Sequence, residues 1–323
     1  MLTADGFKLM DGILIIDKPA GWTSHDVVAR ARGALREKRI GHTGTLDPFA
    51  TGVLVLLIGR ATRLAQFLAG AVKEYEAVVR FGYATETGDL TGERRAEFRD
   101  GFAACPVWAR EEIAAALDGL RGEIEQVPPM YSAKKIQGRK LYELARRGIE
   151  VERAAVRVTI HEIEALDIDN QLLKPHVDGS CELRLRVVCS AGTYVRVLAE
   201  DLGARLKVGA HLAALRRTRA GEFQIRQAVT MENLNEAAGA GTAQQLILPP
   251  EAALSNLPAQ HLTEGQSRRA RHGAAVPVSD SFADGARIRL HDAEGKLIAV
   301  GVYDDAIRQA RPRVMLAADD VES

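Results

Sequence analysis

The chain has 323 residues, of which 46% are hydrophobic, and its 43 basic and 43 acidic residues give a formal net charge of zero. At roughly 100–200 residues per domain, this length predicts two domains with a large core and excludes a mainly disordered chain. The longest apolar runs, such as Val53–Ile58, are far shorter than the roughly 20 residues that cross a bilayer, and no secretory signal is visible at the N-terminus, so we expect a cytoplasmic protein.

Cysteine usage makes a disulfide framework and a structural zinc site unexpected. Cys105, Cys181 and Cys189 are odd in number and widely spaced, and none belongs to a Cys-x-x-Cys or Cys/His ligand pattern.

A neutral overall charge argues against a simple nucleic-acid binder, but the charges are unevenly distributed. Residues 134–157 contain eight Lys/Arg against three Glu, and residues 205–226 contain six basic residues against one acid. Residues 86–118 have the opposite balance, with eight acids and four bases. Such segregation suits a basic face for a polyanion, and from charge alone it equally suits solvated helix faces.

The first third of the chain alternates short apolar strands with helical and glycine-rich segments. Gly12–Asp17 is a predicted strand, and Thr23-Ser-His-Asp26 matches a capping box that opens a helix to Leu35. A glycine-rich loop, Gly41–Gly52, then leads directly into the apolar strand predicted at Val53–Ile58.

The middle of the chain contains more alternating strands than βαβ units. Turn residues dominate 85–92. Helices are predicted at 61–68, 110–120, 140–147, 193–206 and 211–218, and strands at 74–81, 156–161 and 182–189. This pattern predicts an α+β fold with a mostly antiparallel mixed sheet flanked by helices.

A domain boundary is predicted near Leu248-Pro-Pro-Glu251, after a Gly/Ala-rich stretch. Beyond it, strands are predicted at 286–292, 297–303 and 313–317, separated by Gly and Asp turns. Their length suits a compact β-barrel of roughly 65–70 residues. We therefore expect domains 1–250 and 251–323.

Asp47 stands out because its loop is built to present a side chain. Glycines at 41, 44 and 52 permit special backbone angles, and Pro48 biases Asp47 toward extended geometry. An Asp-Pro pair alone is more often a structural turn.

The whole loop is more specific than that pair. Gly41-His-Thr-Gly-Thr-Leu-Asp-Pro-Phe-Ala-Thr-Gly-Val-Leu54 resembles the catalytic motif of the TruB pseudouridine synthases, in which this aspartate is the essential residue. Further segments are similar to that family, in its order: Asp17-Lys-Pro-Ala-Gly21, Lys73-Glu-Tyr-Glu76, Met130-Tyr-Ser-Ala-Lys-Lys135, Gly138-Arg-Lys-Leu-Tyr142, Ser190-Ala-Gly-Thr-Tyr-Val-Arg196 and Gly209-Ala-His-Leu-Ala-Ala-Leu-Arg-Arg217.

The resemblance implies a pseudouridine synthase fold, an RNA-gripping insertion at about 124–153, and a C-terminal PUA-like RNA-binding barrel. One departure is Thr85-Glu-Thr-Gly-Asp89, where the family usually has Asp in place of Glu86. That departure puts any role of residue 86 in doubt.

The resemblance also implies roles for six residues. Asp47 is the expected catalytic carboxylate and Arg196 its ion-pair partner. Tyr75 is expected to stack on the target base and to assist proton removal at C5. His42 would fill the space that the base leaves, and Tyr194 and Leu215 would line the uridine pocket. Without the family, Tyr75 is a half-buried strand residue, His42 a loop hydrogen-bonder and Leu215 core.

Uridine isomerisation needs one acid and neither a metal nor an organic cofactor. The C1′–N1 bond breaks, the uracil turns, and C5 joins the same sugar. A carboxylate can add to C1′ or remove the 2′ proton, and both routes stay open. Glycoside hydrolases instead use paired carboxylates to activate water. In uridine isomerisation, water must be kept out of the site, because it would capture the sugar after the base is released.

The resemblance implies tRNA as the partner, with the target uridine at position 55 of the T-stem loop. We expect no obligate protein partner, no membrane, and a monomer. Bases of the folded loop are stacked, so the enzyme must evert one. Basic groups expected to contact RNA are the 134–157 segment with Tyr131 and Tyr142, the arginines Arg216, Arg217 and Arg219, and the cluster Arg268–His272 at the acceptor stem.

Two alternatives remain open from the sequence. One is a related synthase that acts on another RNA, including the guide-RNA-dependent branch of this family. The other is an RNA-binding or tRNA-folding protein with incidental catalysis.

Overall fold

The computed structural model describes residues 10–95 and 107–317 except 133, 137, 146 and 150. The strands are β1 (Gly12–Lys18), β2 (Ile40–Thr43), β3 (Thr51–Ile58), β4 (Lys73–Phe81), β5 (Gly122–Gln126), β6 (Lys135–Ile136), β7 (Arg139–Lys140), β8 (Val156–Leu166), β9 (Lys174–Pro175), β10 (Cys181–Cys189), β11 (Ala210–Ala220), β12 (Phe223–Gln224), β13 (Ala259–His261), β14 (Val276–Pro277), β15 (Arg287–His291), β16 (Leu297–Asp304) and β17 (Gln309–Met315). The helices are α1 (Ser24–Leu35), α2 (Ala65–Leu68), α3 (Arg110–Asp118), α4 (Leu141–Ala145), α5 (Val195–Arg205), α6 (Met231–Gly239) and α7 (Glu264–Arg271).

Within these described residues, a ten-stranded sheet forms the larger layer, with the order β1-β3-β11-β4-β10-β8-β5. Only the β11–β3 pairing in this sheet is parallel, and the other pairings are antiparallel. Helices α3 and α5 cover one face through a shared apolar cluster. The α+β prediction with a mostly antiparallel mixed sheet is confirmed.

Two different strands pair with the same edge of β3, and the loop containing Asp47 lies next to the point where one gives way to the other. Strand β1 occupies one edge from Gly52 to Ile58. On the other edge β11 pairs only at Thr51 and Gly52, and β2 pairs from Val55 onward. The loop between β2 and β3 therefore joins β3 beside the short β11 pairing, before the β2 pairing begins.

The predicted capping box is present at the start of α1. The Thr23 side chain accepts from the Asp26 N–H, and the Asp26 carboxylate accepts from the Thr23 N–H at 2.8 Å. This reciprocal pairing satisfies backbone donors of the first turn and stabilises the helix start. The buried face of α1 includes Val27, Val28 and Leu35.

The helix predicted at 211–218 is wrong, because these residues belong to strand β11. Leu212 and Leu215 are three residues apart, which imitates a helical stripe. Two bulges, between Leu212 and Ala214 and between Arg217 and Arg219, break the alternation that would have indicated a strand. Pairing with β4 supplies the backbone hydrogen bonds.

Other predicted elements differ mainly in length. The 61–68 helix is a 3₁₀ segment, Gly59–Leu64, followed by the short α2. Helix α4 lies within the predicted 140–147 helix, and the 156–161 strand extends through Leu166 in β8. The sequence analysis missed β5, α6 and α7.

A second, five-stranded sheet is formed by the C-terminal segment, in the order β13-β15-β16-β17-β14. The strands predicted at 286–292 and 297–303 are confirmed as β15 and β16, whereas the strand predicted at 313–317 overlaps only the last three residues of β17. Leu254, Val300 and Leu316 share one buried cluster with Leu57 and Leu64 of the larger sheet's layer. Because apolar burial drives this packing, the two sheets are joined by a common core.

None of the helices in the described ranges combines the length and the apolar composition that a bilayer crossing requires.

Candidate active site

The loop between β2 and β3 is fixed on one side by the segment that leads into α1. The buried Ser24 hydroxyl accepts from the Leu46 N–H at 3.0 Å and donates to the Leu46 carbonyl at 3.3 Å. The Gly21 N–H donates to the Pro48 carbonyl at 2.8 Å, and the Lys18 ammonium donates to the same oxygen at 3.2 Å. Asp47 thus lies between two anchored residues.

Arg217 fixes the other side of the loop from β11. Its guanidinium is buried and donates to the carbonyls of Val53 at 2.7 Å and Gly44 at 2.8 Å. Gly52 has φ +100°, and a Cβ there would lie 2.2 Å from the Arg217 carbonyl oxygen. Only glycine permits this backbone angle and close approach.

Asp47 forms an ion pair with Arg196 in the first turn of α5. The Arg196 Nε atom lies 2.9 Å from Oδ2 of Asp47, and the two side chains are 5% and 33% exposed. The remaining guanidinium nitrogens donate to the Thr87 carbonyl at 2.9 Å and the Tyr131 carbonyl at 2.7 Å. The two carbonyl contacts fix the Arg196 guanidinium, which orients the Asp47 carboxylate and leaves part of that carboxylate accessible.

A second carboxylate, Asp89, lies near the same arginine. Its Oδ2 atom is 3.8 Å from Nη1 of Arg196. Its Oδ1 atom accepts from the Thr87 hydroxyl at 2.8 Å and from the Thr91 N–H at 2.9 Å. Backbone hydrogen bonds from Leu90 and to Gly88 tie this turn to Leu212 of β11. The sequence analysis noted this segment for Glu86, which is exposed, and missed Asp89.

Burial and neighbouring charges shift several pKa values around this loop. Burial raises the pKa of Asp47, Arg196 opposes that rise, and Asp89 adds to it. Burial lowers the pKa of Lys18 to about 8, against the pull of Asp47. Burial also lowers the pKa of Lys73 to about 8, with Arg217 adding to the effect. Both ammonium groups therefore lose their protons at a lower pH than a solvated lysine does.

Tyr75 and Tyr194 lie within electrostatic reach of Asp47, and Leu215 packs in the apolar cluster that contains Tyr75. Burial raises the pKa of the Tyr75 phenol, and the neighbouring Arg217 opposes the rise. Tyr194 is the N-cap residue of α5, and burial raises the pKa of its phenol as well. The Asp47 charge acts on both phenols. Leu215 belongs to the same apolar cluster as Tyr75.

His42 lies on β2, and its imidazole makes an edge-to-face contact with His25 of α1. The ring centroids are 5.5 Å apart at an interplanar angle of 81°. Burial lowers the pKa of His42 to about 4, and His25 and Arg217 contribute, so the ring is neutral at physiological pH. Its Nδ1 atom is buried without a hydrogen-bond partner among the described residues.

The phosphate-contact prediction for the β11 arginines is wrong for Arg217. That side chain is 1% exposed and holds the loop that contains Asp47 through the Val53 and Gly44 carbonyls. Arg216 pairs with Asp17 at 2.7 Å and Arg219 with Glu74 at 3.3 Å, with partial exposure. In a regular strand, alternation tells an inward-pointing arginine from an outward-pointing one. The two bulges of β11 interrupt that alternation, so the sequence pattern did not show that Arg217 points inward.

The predicted RNA-gripping insertion borders a cavity of about 710 Å³ beside Arg196. Its lining includes Tyr131 and Ile149 from the insertion and Glu200 from α5. Arg146 lies outside the described residues, and the side chains of Lys135, Lys140 and Tyr142 are not described, so the contact of this basic segment with RNA stays a prediction.

Metal-ligating side chains are not gathered at this site. Across residues 10–95 and 107–317, leaving out the few undescribed positions, no three His, Cys, Asp or Glu side chains are grouped so as to hold a metal ion. Cys181 and Cys189 are buried in β10, and Cys105 lies outside the described residues.

Comparison with known proteins identifies the family. Residues 32–195 match the profile described as TruB family pseudouridylate synthase (N terminal domain), and residues 196–255 match the profile described as tRNA pseudouridylate synthase B C-terminal domain. The chain belongs to the TruB family of pseudouridylate synthases. The resemblance inferred from the Asp47 loop is confirmed at the level of the family.

Several relatives of this TruB-family chain are similar over most of its length. A tRNA pseudouridine synthase B of Geobacillus kaustophilus is 48% identical over 83% of this chain and 91% of its own. That of Geobacillus thermodenitrificans is 47% identical over 95% of this chain and 98% of its own. That of Ralstonia nicotianae is 47% identical over 88% of this chain and 87% of its own.

Solved structures share the fold. One described as a Cbf5-Nop10-Gar1 complex aligns with a TM-score of 0.69 and 27% identity, covering 95% of this chain and 86% of that chain. One described as an H/ACA RNP bound to a substrate RNA containing 2′-deoxyuridine aligns with a TM-score of 0.69 and 25% identity, covering 96% and 86%. The prediction of a pseudouridine synthase fold with a PUA-like C-terminal module is confirmed.

Proposed function

We propose that this chain isomerises uridine 55 in the T loop of tRNA to pseudouridine, with Asp47 as the catalytic carboxylate. The supporting observation is the Asp47–Arg196 pair: a partly accessible carboxylate on a loop anchored on both sides, held by a buried guanidinium at 2.9 Å. The names of the bacterial relatives, tRNA pseudouridine synthase B, support tRNA as the substrate.

The reaction moves one bond and no electrons leave the substrate. The C1′–N1 bond breaks, uracil turns within the site, and C5 bonds to C1′. The proton on C5 is then lost and N1 gains one, so atoms balance without a donor or acceptor. Asp47 acts either by adding to C1′ or by removing the 2′ proton, and both routes require the ionised carboxylate.

Arg196 is proposed to aim Asp47 and to favour its ionised form. Burial raises the pKa of Asp47, and the guanidinium opposes that rise. A preorganised partner costs no reorganisation during the reaction. Without Arg196, we expect more of the carboxyl group to be protonated at a given pH.

Tyr75 is proposed to stack on the target base. Burial raises the pKa of its phenol, so the group stays protonated at neutral pH in the free protein. Removal of the C5 proton by Tyr75 therefore depends on Arg217, which favours the phenolate. Tyr194 and Leu215 are proposed to line the uridine pocket beside it.

Eversion of the base is assigned to His42 and the RNA-gripping insertion. A neutral imidazole with an unsatisfied Nδ1 can enter a base stack at a lower desolvation penalty than a charged group. The C-terminal module, taken from about residue 251, is proposed to add RNA affinity through the exposed arginines of α7.

The chain is proposed to act as a monomer in the cytoplasm, without an obligate protein partner. One solved structure that shares the fold is described as a Cbf5-Nop10-Gar1 complex, that is, an assembly with other proteins. The presence of its own basic insertion and C-terminal module favours direct recognition of tRNA by this chain.

The direct test uses purified protein and an unmodified tRNA transcript, with no cofactor added. We expect pseudouridine at position 55 and at no other uridine. A transcript with cytidine at that position is the control for site selection. Modification of a different RNA, or only in the presence of a guide RNA, would favour the related-synthase alternative, and RNA binding without any pseudouridine would favour the folding-protein alternative.

A further inference from the structure

Gln126 contacts the backbone at the start of α5. It is the last residue of β5 and only 1% exposed. Its Oε1 atom accepts from the Tyr194 N–H at 2.9 Å, and its Nε2 atom donates to the Tyr194 carbonyl at 3.2 Å. One side-chain amide thus satisfies both backbone groups of a single residue.

Holding the Tyr194 backbone fixes the positions of two proposed site residues, Tyr194 itself and Arg196. Tyr194 is the N-cap of α5, with extended backbone angles and no side-chain cap hydrogen bond of its own. Arg196 follows two residues later in the first turn. Since a helix start is defined by the backbone of its cap, holding the Tyr194 peptide groups also orients Arg196 toward Asp47.

Gln126 also stands at the base of the RNA-gripping insertion. It pairs with Val156 in the β5–β8 ladder, so the insertion leaves and returns at this position. Five residues further on, the Tyr131 carbonyl accepts from Arg196 at 2.7 Å. The segment 126–131 therefore touches α5 at its cap and at its arginine.

We propose that Gln126 is a positioning residue for catalysis, which holds Tyr194 and Arg196 in register with Asp47 through its paired hydrogen bonds to the Tyr194 backbone. This inference rests on the proposed function. Misplacement of a catalytic group by about 1 Å lowers the rate by about 100-fold.

Two substitutions separate this role from simple core packing. Gln126→Leu keeps the volume and removes both hydrogen bonds. Gln126→Glu keeps the acceptor, but an ionised carboxylate cannot donate to the Tyr194 carbonyl, whereas a protonated carboxyl group can. A carboxyl group buried there is expected to have a raised pKa, so the missing donor returns as the pH falls.

The test measures single-turnover rates at saturating tRNA transcript between pH 6 and 9. We expect Gln126→Leu to lower the rate by about 10- to 100-fold with transcript affinity within about 3-fold of wild type. The rate of Gln126→Glu relative to wild type should rise as the pH falls. The relative rate of Gln126→Leu should fall, since a displaced Arg196 no longer opposes the raised pKa of Asp47.

Gln260→Leu is a matched control. Gln260 is also buried and donates to a backbone carbonyl, that of His261 at 2.7 Å, in the C-terminal sheet. We expect a comparable loss of thermal stability but an unchanged rate and pH profile. If Gln126→Leu does not fold, the pH dependence of Gln126→Glu alone decides.

Unchanged saturated rates in the Gln126 variants, identical pH dependence of the two variants, or a defect confined to transcript affinity would each overturn this inference. The wild type is measured first. No pseudouridine from the wild type removes the proposed function and this inference together, whereas an active wild type with unaltered Gln126 variants removes only the inference.

Discussion

The Nε atom of Arg196 lies 2.9 Å from the Oδ2 atom of Asp47. The same guanidinium lies 3.8 Å from Asp89, so one buried cation serves two carboxylates. The two neighbours act on the pKa of Asp47 in opposite directions, since Arg196 lowers it and Asp89 raises it. Substitutions at these positions should therefore move the acidic limb of the pH–rate profile in opposite directions.

Arg196→Ala should lower the single-turnover rate by about 100-fold or more while changing tRNA affinity by less than about 3-fold, because a preorganised charge partner acts mainly in the transition state. The acidic limb should move to higher pH, because the group that opposes the raised pKa of Asp47 is lost. Rates across pH 5–8 at saturating transcript test this. A variant that only binds RNA more weakly would remove the assignment.

Asp89→Asn should move the acidic limb to lower pH. The substitution removes a negative charge that raises the pKa of Asp47, while the amide oxygen can still accept from the Thr91 N–H. We expect a reduced rate at neutral pH, since Arg196 loses one of its two carboxylate neighbours. An acidic limb that moves upward would contradict the electrostatic reasoning.

Lys18→Met should change how stability depends on pH. The pKa of Lys18 is about 8 in the folded protein against an ordinary value of 10.5. Between these values the unfolded chain binds more protons, so this lysine makes the free energy of unfolding rise with pH. As the pH rises from 8 to 10, the unfolding midpoint of the wild type should rise relative to that of Lys18→Met. Lys174→Met, on an exposed strand, controls for loss of one lysine, and a pH-independent difference for Lys18→Met would contradict this prediction.

The double change Arg268→Ala with Arg269→Ala should weaken tRNA binding and leave the saturated single-turnover rate unchanged. Each lost phosphate contact reduces the slope of log affinity against log salt by about 1. Arg313→Ala, at an exposed arginine of β17, is the control. Equal salt slopes for all three proteins would remove the RNA-binding role of α7. Point changes are preferable to deleting the module, because Leu254, Val300 and Leu316 pack with Leu57 and Leu64.

The local signals in the sequence predicted most of the framework. The capping box at Thr23 and the apolar run of β3 need only neighbouring residues to be recognised, and both were predicted correctly. The motif around Asp47 indicated the family through its resemblance to the TruB catalytic motif, while its glycines and proline predicted a constrained loop. Its ion pair with Arg196 was predicted from the resemblance and is present in the structure.

Features that depend on distant parts of the chain were not accessible from the sequence. Strand β11 was mistaken for a helix because its bulges are stabilised by pairing with β4. Arg217 was placed at the surface because nothing local indicates that it reaches the Val53 and Gly44 carbonyls. Asp89 and Gln126 approach the site only through sheet pairing and the position of α5.

The most direct measurement is the single-turnover rate of Asp47→Asn on an unmodified tRNA transcript, with pseudouridine mapped by position and affinity measured in parallel. Asparagine keeps the shape of the side chain but cannot serve as a nucleophile or base. We predict wild-type-like affinity and a rate at least about 1,000-fold below wild type, since covalent and acid–base catalysis by the carboxylate is lost. Pseudouridine formation by Asp47→Asn at a rate near that of the wild type would contradict the central claim.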